Sequence, residues 1–227
     1  CKSVSDTLIF YNILSNSALS CSKLKNEYTI GVVTDFITSD LKIKDSLIFN
    51  EFLNSLIKKK FSLKKIKIPE FKLANKIIEE EGAVVNYEAW KYWKQFIEKD
   101  IKMIDKNVLS RFYIGKKMNE DIFFRVKRKI FKLKKTIYDN FENVSFLLLP
   151  TLSIKPPKIE NVKMESEYIY YNSLVLGNTR IANLFNLPAI SIPIKDNYWL
   201  SFSLLGKEGS DDALLSLALE IESVILR

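Results

Sequence analysis

Histidine is absent from this sequence of 227 residues. Without an imidazole the chain holds no Ser-His-Asp triad, no Cys-His pair and no usual zinc or non-haem iron site. Any catalysis must therefore use Ser, Lys, Tyr or carboxylate side chains, or groups that lie outside these residues. We expect neither a metal ion nor a cofactor.

Cysteine, glycine and proline are also scarce, with two, six and six residues respectively. Cys1 and Cys21 are too few for a disulfide scaffold or a zinc cluster, which favours a reducing, cytoplasmic setting. The longest apolar run, residues 144–150, is far shorter than the roughly 18 residues of a membrane span, so we expect no membrane association. Because the sequence opens on Cys1 and not on Met, we expect it to be processed or truncated.

The chain carries a net charge of +8, concentrated in two lysine-rich segments at 56–68 and 123–135. A basic stripe of this kind can neutralise the phosphates of a nucleic acid. Only five of the 35 basic residues are Arg, however, and Arg is the residue preferred for bidentate phosphate and base contacts. In 123–135 the apolar residues recur every three or four positions, which predicts an amphipathic helix with a solvated lysine face. We therefore do not expect nucleic-acid binding.

Helix and strand patterns alternate along the chain. The pattern predicts helices over 6–14, 45–61, 71–98 with a weak point at Gly82, 105–114, 119–141, 168–185 and 211–226, and strands over 28–36, 64–69, 144–150, 188–194 and 198–206. This alternation predicts an α/β fold with a mixed β-sheet covered by helices on both faces. No clear linker divides the chain, so residues 1–227 are expected to form a single domain.

The segment NTRIANLFNLPAISIP, residues 178–193, sets an Arg and three Asn into an apolar run. Two prolines fix the ends of a predicted buried strand, since proline withholds the N–H that an interior ladder would use. The preceding helix end carries Asn178, Thr179 and Arg180 toward the strand ends, where polar side chains can meet a ligand. A structural alternative remains open, in which Arg180 pairs with a carboxylate and an Asn caps the turn.

Many moderate motifs occur in a familiar order, and the most specific are LPAISIP and the LLxPT turn. The others are GVVTDF, IKIPEF, EEEGAVVNYEAW, RFYIG, VSFLLLPTLSIKPP and WLSFSLLGKEGSDDALLSLALEIE. Together they resemble the C-terminal half of the amidase signature family. Within that family, EEGAVVNYEAW and NTRIAN are more similar to the general bacterial amidases, including the biuret and allophanate hydrolase type, than to the glutamyl-tRNA amidotransferase A subunit.

The resemblance implies amide hydrolysis by a Ser nucleophile, a bridging cis-Ser and a buried neutral Lys, with backbone N–H groups that stabilise the oxyanion. The family's Lys and its Gly-Ser-rich stretch lie upstream of the segment that KSVSDTLIFYNIL resembles. Residues 1–227 contain no Ser-Ser pair, no GxSxG and no Gly-rich loop. We therefore expect them to be the C-terminal portion of an amidase domain, to hold no catalytic residue and to be inactive alone.

The same resemblance implies substrate-binding residues. Arg111, in SRFYIG, stands where family members commonly have an Arg that in some of them contacts a substrate carboxylate, and a guanidinium fork suits that role. An ion pair within or between helices is the open alternative for this residue. Asn178, Thr179 and Arg180 form the second candidate group.

Three functions stay open. The first is an amidase-type hydrolase that cleaves a C–N bond of a small carboxamide or urea-like substrate. The second is a non-catalytic or split amidase half that binds a partner chain, because an isolated half would expose an apolar patch and unpaired strand edges. The third is tRNA-dependent transamidation of the A-subunit type, which the net positive charge of the chain supports only weakly.

Overall fold

The computed structural model describes residues 1–19, 28–35, 43–194 and 199–225. Their contacts group the chain into two compact units. The first holds Cys1–Pro69, Tyr138–Pro156 and Ser173–Arg227, and the second holds Glu70–Ile137 and Pro157–Asn172. The single-domain organisation of 1–227 stays a prediction.

A five-stranded mixed sheet organises the first unit. Its strands are β1 (Thr29–Val33), β2 (Ser62–Ile66), β3 (Phe146–Pro150), β4 (Ala189–Pro193) and β5 (Ser201–Leu205). They lie in the order β2-β1-β3-β5-β4, with β2, β1 and β3 parallel and β5 antiparallel to both of its neighbours. The predicted α/β class with a mixed sheet is therefore confirmed.

Eight α-helices occur within the described residues. They are α1 (Val4–Ser15), α2 (Ile43–Lys58), α3 (Pro69–Glu81), α4 (Val84–Lys99), α5 (Lys106–Lys116), α6 (Glu120–Asn140), α7 (Glu165–Phe185) and α8 (Asp211–Ile225). Two short 3-10 helices, Ile101–Met103 and Ile159–Val162, complete the pattern. In the part of the chain that is described, no helix combines the length and the apolar character needed to cross a membrane.

Two boundaries show how local chemistry ends an element. Gly82, with φ of 101°, separates α3 from α4, as the predicted weak point in 71–98 requires. The predicted strand over 64–69 includes Pro69, but β2 ends at Ile66 and Pro69 begins α3. The missing N–H of Pro69 costs nothing there, because the first helical N–H groups have no partner in the helix. The glycine is therefore a clear signal of a boundary in the sequence. The proline is ambiguous, because it is compatible both with the end of a strand and with the start of a helix.

One face of the sheet carries the main core of the first unit. Residues of α1, α2 and α8 join the alternate side chains of the strands there, and the ring of Phe52 stacks on Phe202 with centroids 4.4 Å apart. The backbone N–H of Val4 donates to Glu222 Oε1 at 2.9 Å, which ties the start of α1 to α8. This burial of apolar area is the dominant stabilising contribution to the unit.

The strands differ in how completely they are covered. All five residues of β3 are buried, so this strand is covered on both faces, as predicted for a continuous apolar run. In β4 the residues alternate between exposed and buried, and Ala189, Ser191 and Pro193 are exposed. The prediction of a buried strand at 188–194 is therefore half right: β4 is an edge strand with one core-facing side, a position that tolerates proline.

Helices form the second unit. At Gly115 in α5 the backbone passes so close to α4 that an added Cβ would lie 1.9 Å from the carbonyl oxygen of Asn86. Tyr87, Met118 and Phe123 form a small buried cluster beside this contact. The buried positions of α6 in this unit include Phe123, Val126 and Ile130, which confirms the predicted amphipathic helix.

Candidate functional site

Asn178 lies on α7 and is 4% exposed, and its Nδ2 donates a hydrogen bond of 2.9 Å to the carbonyl oxygen of Pro150. Pro150 is the last residue of β3. A second hydrogen bond holds the segment after this strand against α7, since Ser153 Oγ donates to the carbonyl oxygen of Leu174 at 3.1 Å. The amide of Asn178 therefore positions the C-terminal end of β3 against α7.

The two residues that follow Asn178 point elsewhere. Successive helical residues are rotated by roughly 100°, so three in a row cannot face one point. The hydroxyl of Thr179 contacts the carbonyl oxygen of Leu176 in its own helix at 3.4 Å, and Arg180 is half-buried. A substrate-binding role for Asn178, Thr179 and Arg180 stays a prediction, and the structure gives Asn178 a structural contact.

Three hydroxyl groups meet beside the end of β3, and none of them was among the residues predicted from the sequence. Thr151 Oγ1 lies 2.8 Å from Ser191 Oγ on β4 and 2.9 Å from Ser203 Oγ on β5. Ser203 is buried, Thr151 half-buried and Ser191 exposed, so the chain of hydroxyls runs from the interior to the surface. A signal for this cluster is present in the sequence, because each serine lies between two apolar residues, in ISI (190–192) and in FSL (202–204). Side chains alternate along a strand, so the two hydroxyls lie on the face opposite the core.

This hydroxyl cluster is suited to binding. A hydroxyl donates one hydrogen bond and accepts two, so members of the cluster can turn to meet either a donor or an acceptor. A serine or threonine becomes a nucleophile when an adjacent base takes its proton. The contacts of Thr151 Oγ1 are with two other hydroxyls, which are poor bases at neutral pH, so its geometry does not activate it.

Arg111 lies on α5 of the second unit and is half-buried. The helix begins at an N-cap, Asp105, whose carboxylate accepts from the backbone N–H groups of Asn107 and Val108. Among the described residues none forms an ion pair with Arg111, whereas Arg125 of the same unit pairs with Glu81 at 2.8 Å. A substrate-binding role for Arg111 stays a prediction.

A cavity of about 580 Å³ borders another face of the same helix. Lys106, Tyr113 and Lys117 line it from α5 and the residue that follows, and Glu165 lines it from the start of α7. Arg111 is not among its lining residues. The structure therefore does not bring this predicted site residue into that cavity.

One carboxylate and one amine of the second unit have perturbed pKa values for structural reasons. Hydrogen bonds from Lys129 and Arg125 lower the pKa of Glu81, against the opposing effect of its burial. A hydrogen bond to Glu120 raises the pKa of Lys91. Both shifts come from ion pairs at the helix surface, so neither marks a catalytic group.

A family model described as Amidase matches residues 6–215. The sequence is 25% identical to the A subunit of the glutamyl-tRNA(Gln) amidotransferase of Sulfolobus acidocaldarius, over 98% of this chain and 54% of that protein. The fold is similar to a crystal structure of an amidase, with a TM-score of 0.80 at 17% identity over 98% of this chain and 51% of the other. It is also similar to the allophanate hydrolase of Kluyveromyces lactis, with a TM-score of 0.77 at 20% identity over 90% and 33%.

The matches include both types of relative that the motifs resemble. An amidotransferase A subunit is similar in sequence, and an allophanate hydrolase is similar in fold. Residues 1–227 span about half the length of the curated relative and of the solved amidase. These relatives therefore carry nearly as much chain again outside the matched part.

Proposed function

This chain belongs to the amidase family, and we propose that residues 1–227 form the substrate-binding portion of an amidase-type hydrolase. The observation that carries this proposal is the family match over 6–215. The substrate class is a small carboxamide or urea-like molecule. Hydrolysis would break its C–N bond, leaving the oxygen of water on the carbonyl carbon and the proton on the departing nitrogen.

The nucleophile and its base would come from outside residues 1–227. Within these residues the sequence offers no Ser-Ser pair and no Gly-rich loop that resembles the family's catalytic stretch. Among the described residues, the hydroxyl cluster of Thr151, Ser191 and Ser203 has no adjacent base in its contacts. These residues would therefore contribute binding and orientation, and the chemistry would depend on a further polypeptide segment.

Arg111 is the proposed contact for a carboxylate on the substrate. Arg111 is half-buried, and its guanidinium makes no ion pair with the described residues, so its charge is available to an anion. Two parallel N–H donors would hold a carboxylate in one orientation, which a lysine ammonium does not do. A substrate whose amide lies near a carboxylate, such as a half-amide of a dicarboxylic acid or a carboxylated urea, fits this contact.

The test uses the protein as it occurs in its source and measures the ammonia released from two substrates. One is such a carboxylated amide, and the other is an uncharged amide of similar size. We expect Arg111→Ala to raise KM at least tenfold for the carboxylated amide and to leave the uncharged amide within twofold. Arg111→Lys should restore only part of the affinity for the carboxylated amide. Arg128→Ala should leave KM unchanged for both substrates. Equal effects of Arg111→Ala on both amides would contradict the proposed contact.

Transamidation on a charged tRNA is the second candidate, because the A subunit of a glutamyl-tRNA(Gln) amidotransferase is similar in sequence over 98% of this chain. The net charge of +8 would favour an RNA ligand. Binding of tRNA that weakens steeply between about 50 and 200 mM salt, measured by fluorescence anisotropy, would support it. Ammonia release with no affinity for tRNA would favour hydrolysis of a small amide.

A further inference from the structure

Helix α6 carries a line of exposed side chains on the face opposite its buried one. Phe124, Arg128, Phe131 and Lys135 are spaced at i, i+4, i+7 and i+11, so they follow one another along one side of the helix. All four are exposed, and Phe124 and Phe131 are 55% and 74% exposed. Aromatic and basic side chains therefore alternate over about 16 Å of helix surface, which we call the α6 stripe.

The basic groups of the α6 stripe have no counter-charge within the described parts of the chain. Arg128 and Lys135, and Lys132 beside them, are exposed and form no ion pair with any residue that the structure describes. By contrast, Arg125 on the flank of the helix pairs with Glu81 at 2.8 Å. Three unpaired cations therefore face solvent on this side of α6, where they can neutralise the phosphates of a ligand.

An aromatic cavity lies at one end of the α6 stripe. Its volume is about 410 Å³, within the range of small-ligand pockets. Four aromatic side chains line it: Tyr87, Tyr92, Phe123 and Phe124, the last of which also begins the stripe. Tyr87 and Phe123 are buried, with ring centroids 4.8 Å apart, whereas Tyr92 is 79% exposed. A planar ring that entered this cavity would contact aromatic side chains and stay accessible from solvent.

The polar groups of the aromatic cavity match the edge of a nucleobase. Glu88 and Glu120 supply acceptors, and Lys91, which donates to Glu120 at 3.2 Å, supplies donors. Carboxylates accept hydrogen bonds from exocyclic amines such as N4 of cytosine. They also repel a phosphate, whereas Arg128 lies one helical turn beyond Phe124. The cavity therefore suits a base, and the stripe suits the phosphates that follow it.

We propose that the aromatic cavity and the α6 stripe together bind a single-stranded nucleic acid. One base occupies the cavity, the phosphates contact Arg128, Lys132 and Lys135, and a further base stacks on Phe131. Proteins bind single strands by this combination of a positive track and exposed rings, because every base has a π-face. In a duplex the bases are stacked on one another and cannot reach such rings. This inference goes beyond amide hydrolysis and does not depend on it.

Two observations favour a nucleic acid over an anionic membrane surface. A helix that lies in a membrane interface buries a continuous apolar face, whereas Arg128 separates the two rings of the α6 stripe. The carboxylates of Glu88 and Glu120, beside Phe124, would also face the anionic headgroups. The lysine pattern alone did not predict a nucleic-acid ligand, because it does not show that Phe124 and Phe131 face outward.

The probe is a fluorescein-labelled oligocytidylate of about 12 nucleotides, a length that one binding module can cover. Its binding to the protein as it occurs in its source is followed by fluorescence anisotropy at several salt concentrations. The logarithm of the binding constant should fall with the logarithm of the salt concentration with a slope of about −2, because each of three phosphate contacts contributes about −0.7. An oligouridylate, which has no exocyclic amine, should bind at least threefold more weakly.

Three results would overturn the inference. The first is no binding of the oligocytidylate, with or without binding to phosphatidylserine vesicles. The second is an equal affinity for a double-stranded RNA of the same length, since a duplex should bind at least tenfold more weakly. The third is an equal affinity for the oligouridylate, which would remove the base from the cavity.

Variants of Phe131 test the stacking contact. Phe131→Leu keeps an apolar side chain but removes the ring, and it should weaken oligocytidylate binding by about fivefold or more. Phe131→Tyr keeps the ring and is the matched control, with an affinity within twofold of the parent. Because Phe131 is 74% exposed, neither variant should change the melting temperature. Equal affinities of the two variants would overturn the stacking contact.

A charge variant tests the contact with phosphates. Lys135→Ala should weaken oligocytidylate binding and reduce the magnitude of the salt slope by about 0.7, the contribution of one phosphate contact. Lys64→Ala removes the same charge from the exposed surface of β2 and should leave the slope unchanged. An equal change of slope in the two variants would show that only the net charge matters, which would overturn the site on α6.

Discussion

The side-chain amide of Asn178 donates its hydrogen bond to the carbonyl oxygen of Pro150, so a residue of α7 fixes the end of β3. Both groups lie in a buried region, where an unpaired carbonyl would cost about 1–3 kcal/mol. We expect Asn178→Ala to lower the free energy of unfolding by about that amount, measured by urea denaturation. Asn183→Ala, an exposed asparagine of the same helix, should stay within about 0.5 kcal/mol. Equal stability of the two variants would contradict the structural role of Asn178.

For Gly115→Ala we expect a loss of stability, although helix propensity alone predicts a gain. An alanine in a helix interior is ordinarily more stable than glycine by about 1 kcal/mol. At Gly115 the new Cβ would lie 1.9 Å from the carbonyl oxygen of Asn86, so α4 and α5 would have to separate. We expect Gly115→Ala to destabilise the protein by about 1–3 kcal/mol in thermal or urea unfolding. Lys106→Ala, on the exposed start of the same helix, should be close to neutral, and a stabilised Gly115→Ala would show that the helices do not touch there.

The lowered pKa of the Glu81 carboxyl makes the stability of the fold depend on pH. Lys129 and Arg125 donate to its carboxylate and hold its pKa below the ordinary value of about 4.3. A depressed pKa stabilises the fold above the ordinary value, and this contribution is lost as the pH falls through the folded-state pKa. Because both basic partners are about half exposed, the contribution is at most about 1 kcal/mol.

The measurement is urea unfolding between about pH 3 and 7 for the parent and for Glu81→Gln. The parent should exceed Glu81→Gln in stability at neutral pH, and the difference should shrink as the acid protonates Glu81 at low pH. Glu88→Gln removes a longer pair with Lys127, 3.8 Å apart and exposed on both sides, and should cost less. A difference between the parent and Glu81→Gln that stays constant down to the most acidic point would contradict this account.

The hydroxyl cluster predicts a stability effect at Thr151. Thr151→Val keeps the shape of the side chain but removes the oxygen that contacts Ser191 and Ser203. We expect a loss of about 1–2 kcal/mol in urea unfolding, because the buried hydroxyl of Ser203 is left without its partner. Ser191→Ala, at the exposed end of the cluster, should cost less than about 1 kcal/mol. A neutral Thr151→Val would show that the cluster contributes nothing to the fold.

The sequence pattern predicted the kind and order of the elements because each periodicity reports a local property. Thus the helix at 119–141 appears as α6 (Glu120–Asn140), and the buried strand at 144–150 as β3 (Phe146–Pro150). Helix α7 begins at Glu165, three residues before the predicted start at 168, since its polar first turn carries no apolar periodicity. The parts of the predicted strands at 36 and 198, and of the last helix at 226, lie outside the described residues, as does Cys21.

The candidate site was less predictable because it depends on contacts between distant segments. Three consecutive residues, Asn178, Thr179 and Arg180, were grouped by proximity in sequence, although a helix turns neighbours away from one another. Ser191 and Ser203 lie 40 and 52 positions from Thr151, and only the strand register brings the three hydroxyls together. Local patterns specify neither register nor strand order.

The lysines on β2 have a consequence for self-association. Lys64 and Lys65 are exposed on this strand, which pairs with β1 on one side. Two copies that met along this edge would bring four ammonium groups together, and their repulsion opposes the pairing of two β2 strands. The basic strand thus lowers the tendency of the sheet to grow from one molecule into the next.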